Sequence, residues 1–335
     1  MISIIIPIRN ERENIDNLTN SLKSQSIDQN SIEVIFTDDH SSDDSAEKIL
    51  NQIIDYKNYK LICLVDEHGK KQAIRKAIEV ATGELIVTVD ADCSFGKNWL
   101  SSIAAFYSEN NACMISGPVC MNQSGLFSSF QSLDFLSLVS VGAGAIGNKT
   151  PIMCNGANLI FKKSAYIEAV KDFNDLYISG DDVFLLNQIN KQYPESVYFL
   201  KSFDAIVYTN PERTLKSFVN QRLRWVSKTS GVKNTLNLFT AVIVLFANLI
   251  IFLSLIVLIT RPDLYSFLLF AIITKSIFDI VFLIFPSAFF KNMKLITMII
   301  PMQVFYSFYI SIVGIFGNFI SFSWKERRSG RKLRN

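Results

Sequence analysis

Histidine is almost missing from this chain: its 335 residues hold two, His40 and His68. That removes the parts for a histidine-rich metal centre and for most Ser-His-Asp schemes. The five cysteines, Cys63, Cys93, Cys113, Cys120 and Cys154, are odd in number and scattered, with no CxxC pair. A disulfide framework and a zinc knuckle are thereby excluded, and a reducing, cytoplasmic setting is expected. Charge is scarce too. Asp, Glu, Lys and Arg make up 19% of the residues, against roughly 25% in an ordinary soluble domain. Glycine and proline are modest and apolar residues plentiful, so collagen-like and disordered architectures drop out. The opening MISIIIPIRN lacks a basic leading region and its apolar run stops at Pro7, unlike a signal peptide.

What is plentiful is apolar surface, 49% of residues with 27 Phe. It is organised in two ways. Over residues 1–210 it comes in short Ile/Val/Leu runs, Ile2–Ile6, Ser31–Phe36, Leu61–Val65 and Leu85–Val89, each closed by polar or turn residues. These predict strands buried on both faces. Helix-like stretches lie between them at Glu13–Ser24, Asp44–Tyr56 and Lys70–Ala81. The alternation implies βαβ units and an α/β, mostly parallel sheet, whose ligands bind beyond the carboxyl ends of the strands.

After residue 233 the pattern changes. Asn234–Thr260 and Leu295–Trp324 carry no charge, and Leu264–Phe285 carries only Lys275 and Asp279. A membrane span needs about 20 residues, so three transmembrane helices are predicted, at 236–260, 264–285 and 295–320. Lys275 and Asp279 are four apart, on one helix face, and read as a mutual pair turned inward. Residues 211–233 predict an amphipathic interfacial helix, and 323–335 a basic tail. Arg213, Lys216, Arg222, Arg224, Lys228 and Lys233 crowd the near side of the first span. By the positive-inside rule residues 1–233 are expected in the cytoplasm, on the inner face of the cell membrane. Three spans then put the tail outside, although its six Lys/Arg against one Glu favour the inside; Pro301, Gln303, Gly314 and Gly317 give the last segment places to kink or re-enter. With the net charge at +3 and the tail supplying +5, the body is close to neutral, and no nucleic-acid partner is expected. Leu126–Ile146 is also apolar. A crossing there would put the two halves of the candidate site in different compartments, so it is read as a helix in or near the interface.

Carboxylates gather where strands end. Asp38-Asp39 follow the second run, as helix-capping residues or as acceptors for a base or ribose. Asp90-Ala91-Asp92 follow the fourth. Alternate residues of an extended segment point opposite ways, so one carboxylate can bind a divalent ion while the other orients it or a sugar. Asp181-Asp182 open a helical run, either as dipole partners or as a base for an attacking hydroxyl. Gln221, Arg224 and Trp225 share one helix face before the membrane, suiting both lipid headgroups and a diphosphate.

In this order the motifs resemble family 2 glycosyltransferases of the GT-A fold, especially the membrane-bound branch with cellulose, hyaluronan and ceramide-glucosyl synthases. Ile4-Ile5-Ile6-Pro7-Ile8-Arg9-Asn10-Glu11 is similar to that branch's first strand and nucleotide loop. Asp38-Asp39-His40-Ser41 resembles its base-binding acidic turn, with His40 where glycine is usual. Gly69-Lys70-Lys71-Gln72-Ala73 resembles its Gly-Lys-x-x-Ala helix start, and Asp90-Ala91-Asp92 its metal motif. Asn155-Gly156-Ala157-Asn158 resembles the acceptor-side segment. Asp181-Asp182 stands for Glu-Asp, and Gln221, Arg224 and Trp225 match Q-x-x-R-W.

The resemblance implies an inverting, metal-dependent transfer of a sugar from a nucleotide-diphosphate donor, UDP-linked, to a lipid, lipid-linked or glycan acceptor at the cytoplasmic membrane face. It implies donor binding by Pro7, Arg9, Glu11, Asp39, Lys70, Asp90, Gln221 and Arg224. Mg²⁺ or Mn²⁺ is held at Asp92 with Asp90. Asp182 is the base, beside Asp181, and Asn155, Gly156 and Trp225 line the acceptor side. A processive polysaccharide synthase is the alternative, although three spans are lean for a channel. A catalytically silent scaffold would be expected to lose its acidic motifs, and here they are intact.

Overall fold

The computed structural model describes residues 1–171, 181–229, 235–317, 322–324 and 327–329. Gly180, Lys233 and most of the basic tail lie outside these residues, as do the side chains of Asp181 and Lys228. The described chain forms two compact units, 1–122 with 141–210, and 123–140 with 211–335.

The first unit is an α/β sandwich. In chain order it contains β1 (Ile2–Ile8), α1 (Ile15–Lys23), β2 (Ile32–Asp38), α2 (Ser45–Ile53), β3 (Tyr59–Cys63), α3 (Lys70–Val80), β4 (Leu85–Thr88), β5 (Ser94–Phe95), α4 (Trp99–Glu109), β6 (Met114–Ser116) and β7 (Val119–Met121). Helix α5 (Leu126–Gly147) follows, then β8 (Leu159–Lys162), α6 (Lys163–Val170), α7 (Asp181–Gln192), β9 (Val197–Phe199) and β10 (Val207–Thr209). Seven strands order as β3-β2-β1-β4-β8-β6-β9, and a small second sheet as β5-β10-β7. The β1–β2, β1–β4, β2–β3 and β6–β9 pairs are parallel, while β8 runs antiparallel to β4 and β6. A mostly parallel sheet with helices is the expected fold class.

Two strand expectations change. β3 is not buried on both faces: Lys60 and Cys63 are exposed, because β3 is the sheet's edge and is covered less completely than β1 and β2. β2 runs two residues further than its apolar pattern, through Asp38, because Pro7↔Thr37 and Ile8↔Asp38 continue its ladder with β1. Asp39 is therefore the first residue beyond the strand. The β1–β4 ladder stops at Ile5↔Thr88. Past that point the strands part, which opens the carboxyl edge and leaves room for Pro7, a residue unable to donate to a ladder.

At the opposite edge one buried carboxylate holds the strand starts together. Glu33 accepts the Ser3 hydroxyl at 2.5 Å and the Thr82 hydroxyl at 2.8 Å, together with the backbone N–H groups of Thr82 and Gly83. Burial alone would raise its pKa, but these donors outweigh burial and hold it below the ordinary value. Gly83 is required by close approach: a Cβ there would meet the Ser3 hydroxyl oxygen at 2.5 Å and the Met1 carbonyl at 2.8 Å.

The second unit takes the first part of α5 and then α8 (Leu215–Thr229), α9 (Thr235–Thr260), α10 (Tyr265–Phe289) and α11 (Ile299–Phe316), followed by an antiparallel pair β11 (Phe322–Trp324) and β12 (Arg327–Ser329). By length and composition four helical segments could cross a membrane: Leu126–Gly147, Thr235–Thr260, Pro262–Phe289 and Met293–Ile315. The first stands apart, with 56% of its apolar stretch buried in protein against 11%, 17% and 28% for the others. The sheet also argues against its crossing: β8 lies after α5 yet pairs with β4 and β6, which lie before it. One continuous sheet occupies one compartment. Lys275 and Asp279 form the expected pair at 2.7 Å, and Gln303 on α11 bonds both, accepting from Lys275 at 2.9 Å and donating to Asp279 at 2.7 Å.

Glu33→Gln removes the anion but keeps the shape. It should destabilise the chain by about 1–3 kcal/mol, measured by thermal melting, with its activity per folded molecule unchanged. Because the Glu33 pKa is depressed, its contribution is full above the unfolded carboxylate range and disappears as pH falls through the folded value. The Gln variant should therefore converge with the parent at low pH.

Candidate active site

The loops after β1 and β2 are stitched into one rim. Arg9 donates to the carbonyls of Asp39 at 2.5 Å and His40 at 3.4 Å, and its guanidinium lies 3.9 Å from the Asp39 carboxylate. The Asn10 side chain accepts the Ser42 N–H at 2.8 Å, and the Glu11 N–H donates to Ser45 Oγ at 2.9 Å. Asp38 is consumed locally, accepting the Ser41 N–H at 3.1 Å and the Ser41 hydroxyl. Asp39 is left as the buried carboxylate at the edge. His40 sits at φ 55°, the left-handed region where glycine is easiest, which explains why glycine is usual at this point of the pattern.

Two consecutive residues connect this rim to the next strand. The Gly69 N–H donates to Asp39 Oδ1 at 2.9 Å, from a backbone at φ 101° that a side chain would strain. Lys70, the first residue of α3, forms an ion pair with Asp90 just past β4. Asp92 follows, with Oδ2 accepting the Thr209 hydroxyl at 2.9 Å. Although Asp92 keeps some solvent contact, protein surrounds most of it. Burial, then the negative charges of Asp90 and Glu11, push its pKa up to about 6, against smaller opposing effects of Thr209 and Lys70. Burial and crowded negative charge are the surroundings a divalent cation relieves, so these residues fit one: Asp92 and Asp90 would hold it.

Asp182 approaches from α7. Its carboxylate lies beside Gly156, where an added Cβ would be 3.5 Å from Oδ2, and Oδ1 accepts the Val183 N–H at 3.0 Å. The Gly156 carbonyl accepts the hydroxyl of Thr88 at 3.0 Å. Thr88 is the last residue of β4, two before Asp90, so Asp182 belongs to the same strand edge. Asn155 uses its side-chain oxygen to accept the Ala157 N–H at 3.0 Å. Asn158 ties the region together: buried, it donates to the Pro118 and Ala205 carbonyls, both at 3.0 Å, and accepts the Trp99 indole N–H at 3.2 Å.

Comparison with known proteins identifies the family. The model described as Glycosyl transferase family 2 matches residues 3–166, and that described as Glycosyl transferase family group 2 matches residues 85–322, more than half of the chain. The chain is a family 2 glycosyltransferase. Among curated relatives it is similar to glycosyltransferase AglE of Haloferax volcanii, 23% identical over 67% of this chain and 71% of that one. It is also similar to an undecaprenyl-phosphate 4-deoxy-4-formamido-L-arabinose transferase of Proteus mirabilis, 33% identical over 27% of this chain but only 28% of that one. Among solved structures, the mannosyltransferase PcManGT of Pyrobaculum calidifontis, in complex with GDP-Man and Mn²⁺, shares the fold. Its TM-score is 0.58 at 15% identity, covering 94% of this chain and 86% of that one.

The glycosyltransferase carries its Q-x-x-R-W helix, α8, in the second unit. Gln221 donates to the Glu212 carboxylate at 2.9 Å. Arg222, which the sequence reading counted only among the cations beside the first span, is buried within the motif together with Leu223. Arg222 pairs with Asp134 at 2.7 Å, both almost wholly buried, and its guanidinium lies 4.1 Å from the Trp225 ring centre and 4.6 Å from that of Phe218. Trp225 also packs against Phe135 at 6.0 Å. Asp134 accepts in addition from Tyr306 of α11 at 2.8 Å. A lone Asp inside an apolar helix was the available signal for this pair, since it needs a buried cation. Thr88 and Thr209 were missed, and Asn158 was quoted in its motif without a role of its own, because hydroxyls and amides are common and only the tertiary fold shows what they touch.

Asp92→Asn in cation-free protein should raise the melting temperature at pH 7 by a few degrees. The folded pKa of about 6 exceeds the unfolded carboxylate value, so the folded state binds the proton more tightly. Parent stability from this group should therefore fall as pH rises from about 4 to about 6, and the Asn variant should lack that fall. A variant less stable than the parent at pH 7 would contradict the electrostatic account.

Proposed function

We propose that the enzyme transfers a sugar from a nucleotide-diphosphate donor, UDP-linked, with inversion, onto a lipid-linked acceptor at the cytoplasmic face of a membrane. One observation carries this reading: Gly69 and Lys70 bring Asp39 and Asp90 to one strand edge, with Asp92 and Asp182 at the same edge. Asp39, with Arg9 and the Pro7 and Glu11 loop, orients the base. Lys70 faces the diphosphate, and Asp92 with Asp90 would hold Mg²⁺ or Mn²⁺. A divalent cation there supplies positive charge to the departing diphosphate.

In the transfer, Asp182 accepts the proton of the acceptor hydroxyl while that oxygen bonds to the anomeric carbon. The bond from the anomeric carbon to the diphosphate oxygen breaks, and its electron pair leaves with the nucleoside diphosphate. Attack opposite the leaving group inverts the centre, and no covalent enzyme intermediate is needed. Asn155 and Gly156, adjoining Asp182, lie on the acceptor side. The roles of Asp181, Gln221, Arg224 and Trp225 rest on their motifs. Three long apolar helices and relatives whose names include an undecaprenyl-phosphate transferase support a membrane lipid carrier as acceptor. Mn²⁺ in the PcManGT complex supports the cation.

Asp182→Asn should lower turnover by about 10²–10⁴-fold, the usual contribution of a general base, while nucleotide affinity stays within about twofold. The check is release of nucleoside diphosphate from a panel of UDP- and GDP-sugars, with Mn²⁺ and membrane lipid present. Undiminished turnover in the variant would overturn the assignment.

A further inference from the structure

The two histidines of the chain, 28 positions apart in sequence, meet. His40 follows Asp39 in the turn after β2, and His68 precedes Gly69 at the start of α3; their ring centres are 4.2 Å apart. One ligand atom each from Asp39, His40 and His68 lies within 4.8 Å of the other two. We infer that Asp39, His40 and His68 form a binding site for a borderline-soft divalent cation of the zinc class, distinct from the hard-cation site at Asp92 and Asp90.

The chemistry of the donors separates the two sites. Two imidazoles and one carboxylate suit zinc and cobalt, whereas carboxylates with phosphate oxygens and water suit magnesium and manganese. The partners behind the donors are also those of a ligand set. His40 Nε2 lies 3.0 Å from the Glu67 carbonyl, which has no proton to give. His40 must therefore carry its proton on Nε2, leaving Nδ1 with a lone pair, and a carbonyl bonded to the second ring nitrogen is the usual way a ligating histidine is fixed. Asp39 is oriented in the same manner, by the Gly69 N–H on Oδ1 at 2.9 Å. Donors around zinc at about 2.0–2.2 Å are closer to one another than 4.8 Å. His68 is exposed, and rotation of its ring about the side-chain torsions closes that gap. Arg9, 3.9 Å from the Asp39 carboxylate, opposes the cation, but its hydrogen bonds to the Asp39 and His40 carbonyls hold it on the backbone side. Three protein donors leave at least one position open. A cation there occupies the carboxylate assigned to the base, so it competes with the nucleotide; this consequence rests on the proposed donor-binding role of Asp39.

The test uses the full chain in detergent, without nucleotide, titrated with Zn²⁺ by calorimetry and with Co²⁺ by visible absorption. One equivalent of Zn²⁺ should bind, and Co²⁺ should give the intense visible bands of a low-coordinate imidazole site. Both should weaken by more than about 100-fold in His68→Ala and in His40→Asn, which keeps a residue tolerant of the left-handed backbone. Both should persist in Asp92→Asn. Absence of Zn²⁺ binding in the parent, or binding unchanged in the two histidine variants, would overturn the site. UDP binding is then measured with and without Zn²⁺. Competition that disappears in His68→Ala supports the full inference. Zn²⁺ binding lost with the histidines but without effect on UDP would overturn the competition, and with it the base-binding role of Asp39, while the site itself stood.

Discussion

The step from Gly69 to Lys70 is the constraint on which the candidate site depends. Neighbouring residues in the chain engage two carboxylates from two different strands, one through a backbone N–H and the other through an ammonium group. Asp39 and Asp90 are 51 positions apart in sequence, and like charges do not gather unaided. The glycine makes the first contact possible because its backbone adopts φ 101°, and the lysine makes the second tolerable by neutralising Asp90. With that staple in place, Asp92 is left beside Asp90 and Glu11 with an excess of negative charge. In the proposed mechanism the same local choice supplies both the cation that faces the diphosphate and the place for a divalent one.

The sheet divides stability from chemistry along its strands. At the amino edge Glu33 is fully provided with donors, and Gly83 packs too closely to admit a side chain. At the carboxyl edge the β1–β4 ladder ends at Ile5↔Thr88, and beyond it Asp92 stands among other negative charges. A buried carboxylate supplied with hydrogen bonds stays ionised and holds the fold; one surrounded by its own kind has its pKa raised and needs a ligand. Glu33 and Asp92 are the two cases in one sheet, with pKa values moved in opposite directions. In the second unit, the buried ion pair of Arg222 with Asp134 follows the first pattern, and the partly buried Lys275, Asp279 and Gln303 likewise satisfy one another.

Much of this was legible in the sequence, and the reasons for the exceptions are physical. Apolar runs marked β1, β2 and β4 because a central parallel strand is covered on both faces, and β3 deviated because an edge strand is not. The length and lack of charge of three helices marked them as spans. Leu126–Gly147 passed the same measure, and only the pairing of β8 with strands on both sides of that helix in the sequence decided its place. The carboxylates were visible because charge at the end of an apolar strand is costly without a purpose. Their partners were not, since the Thr209 hydroxyl on Asp92 and the Gly69 N–H on Asp39 are set by tertiary approach and have no compositional trace. His40 and His68 were dismissed as too few to form a site; sequence counts residues, and the fold brings them together.

The central claim is that the base-facing carboxylate and the cation-facing carboxylates belong to one donor-binding crevice. The most direct measurement is the affinity of the full chain for UDP across a Mn²⁺ titration, with the reciprocal affinity for Mn²⁺ across a UDP titration. One crevice requires that each ligand tighten the other by the same factor, about tenfold or more, and that Asp92→Asn abolish the coupling while UDP alone still binds. UDP affinity indifferent to Mn²⁺ in the parent chain would contradict the account.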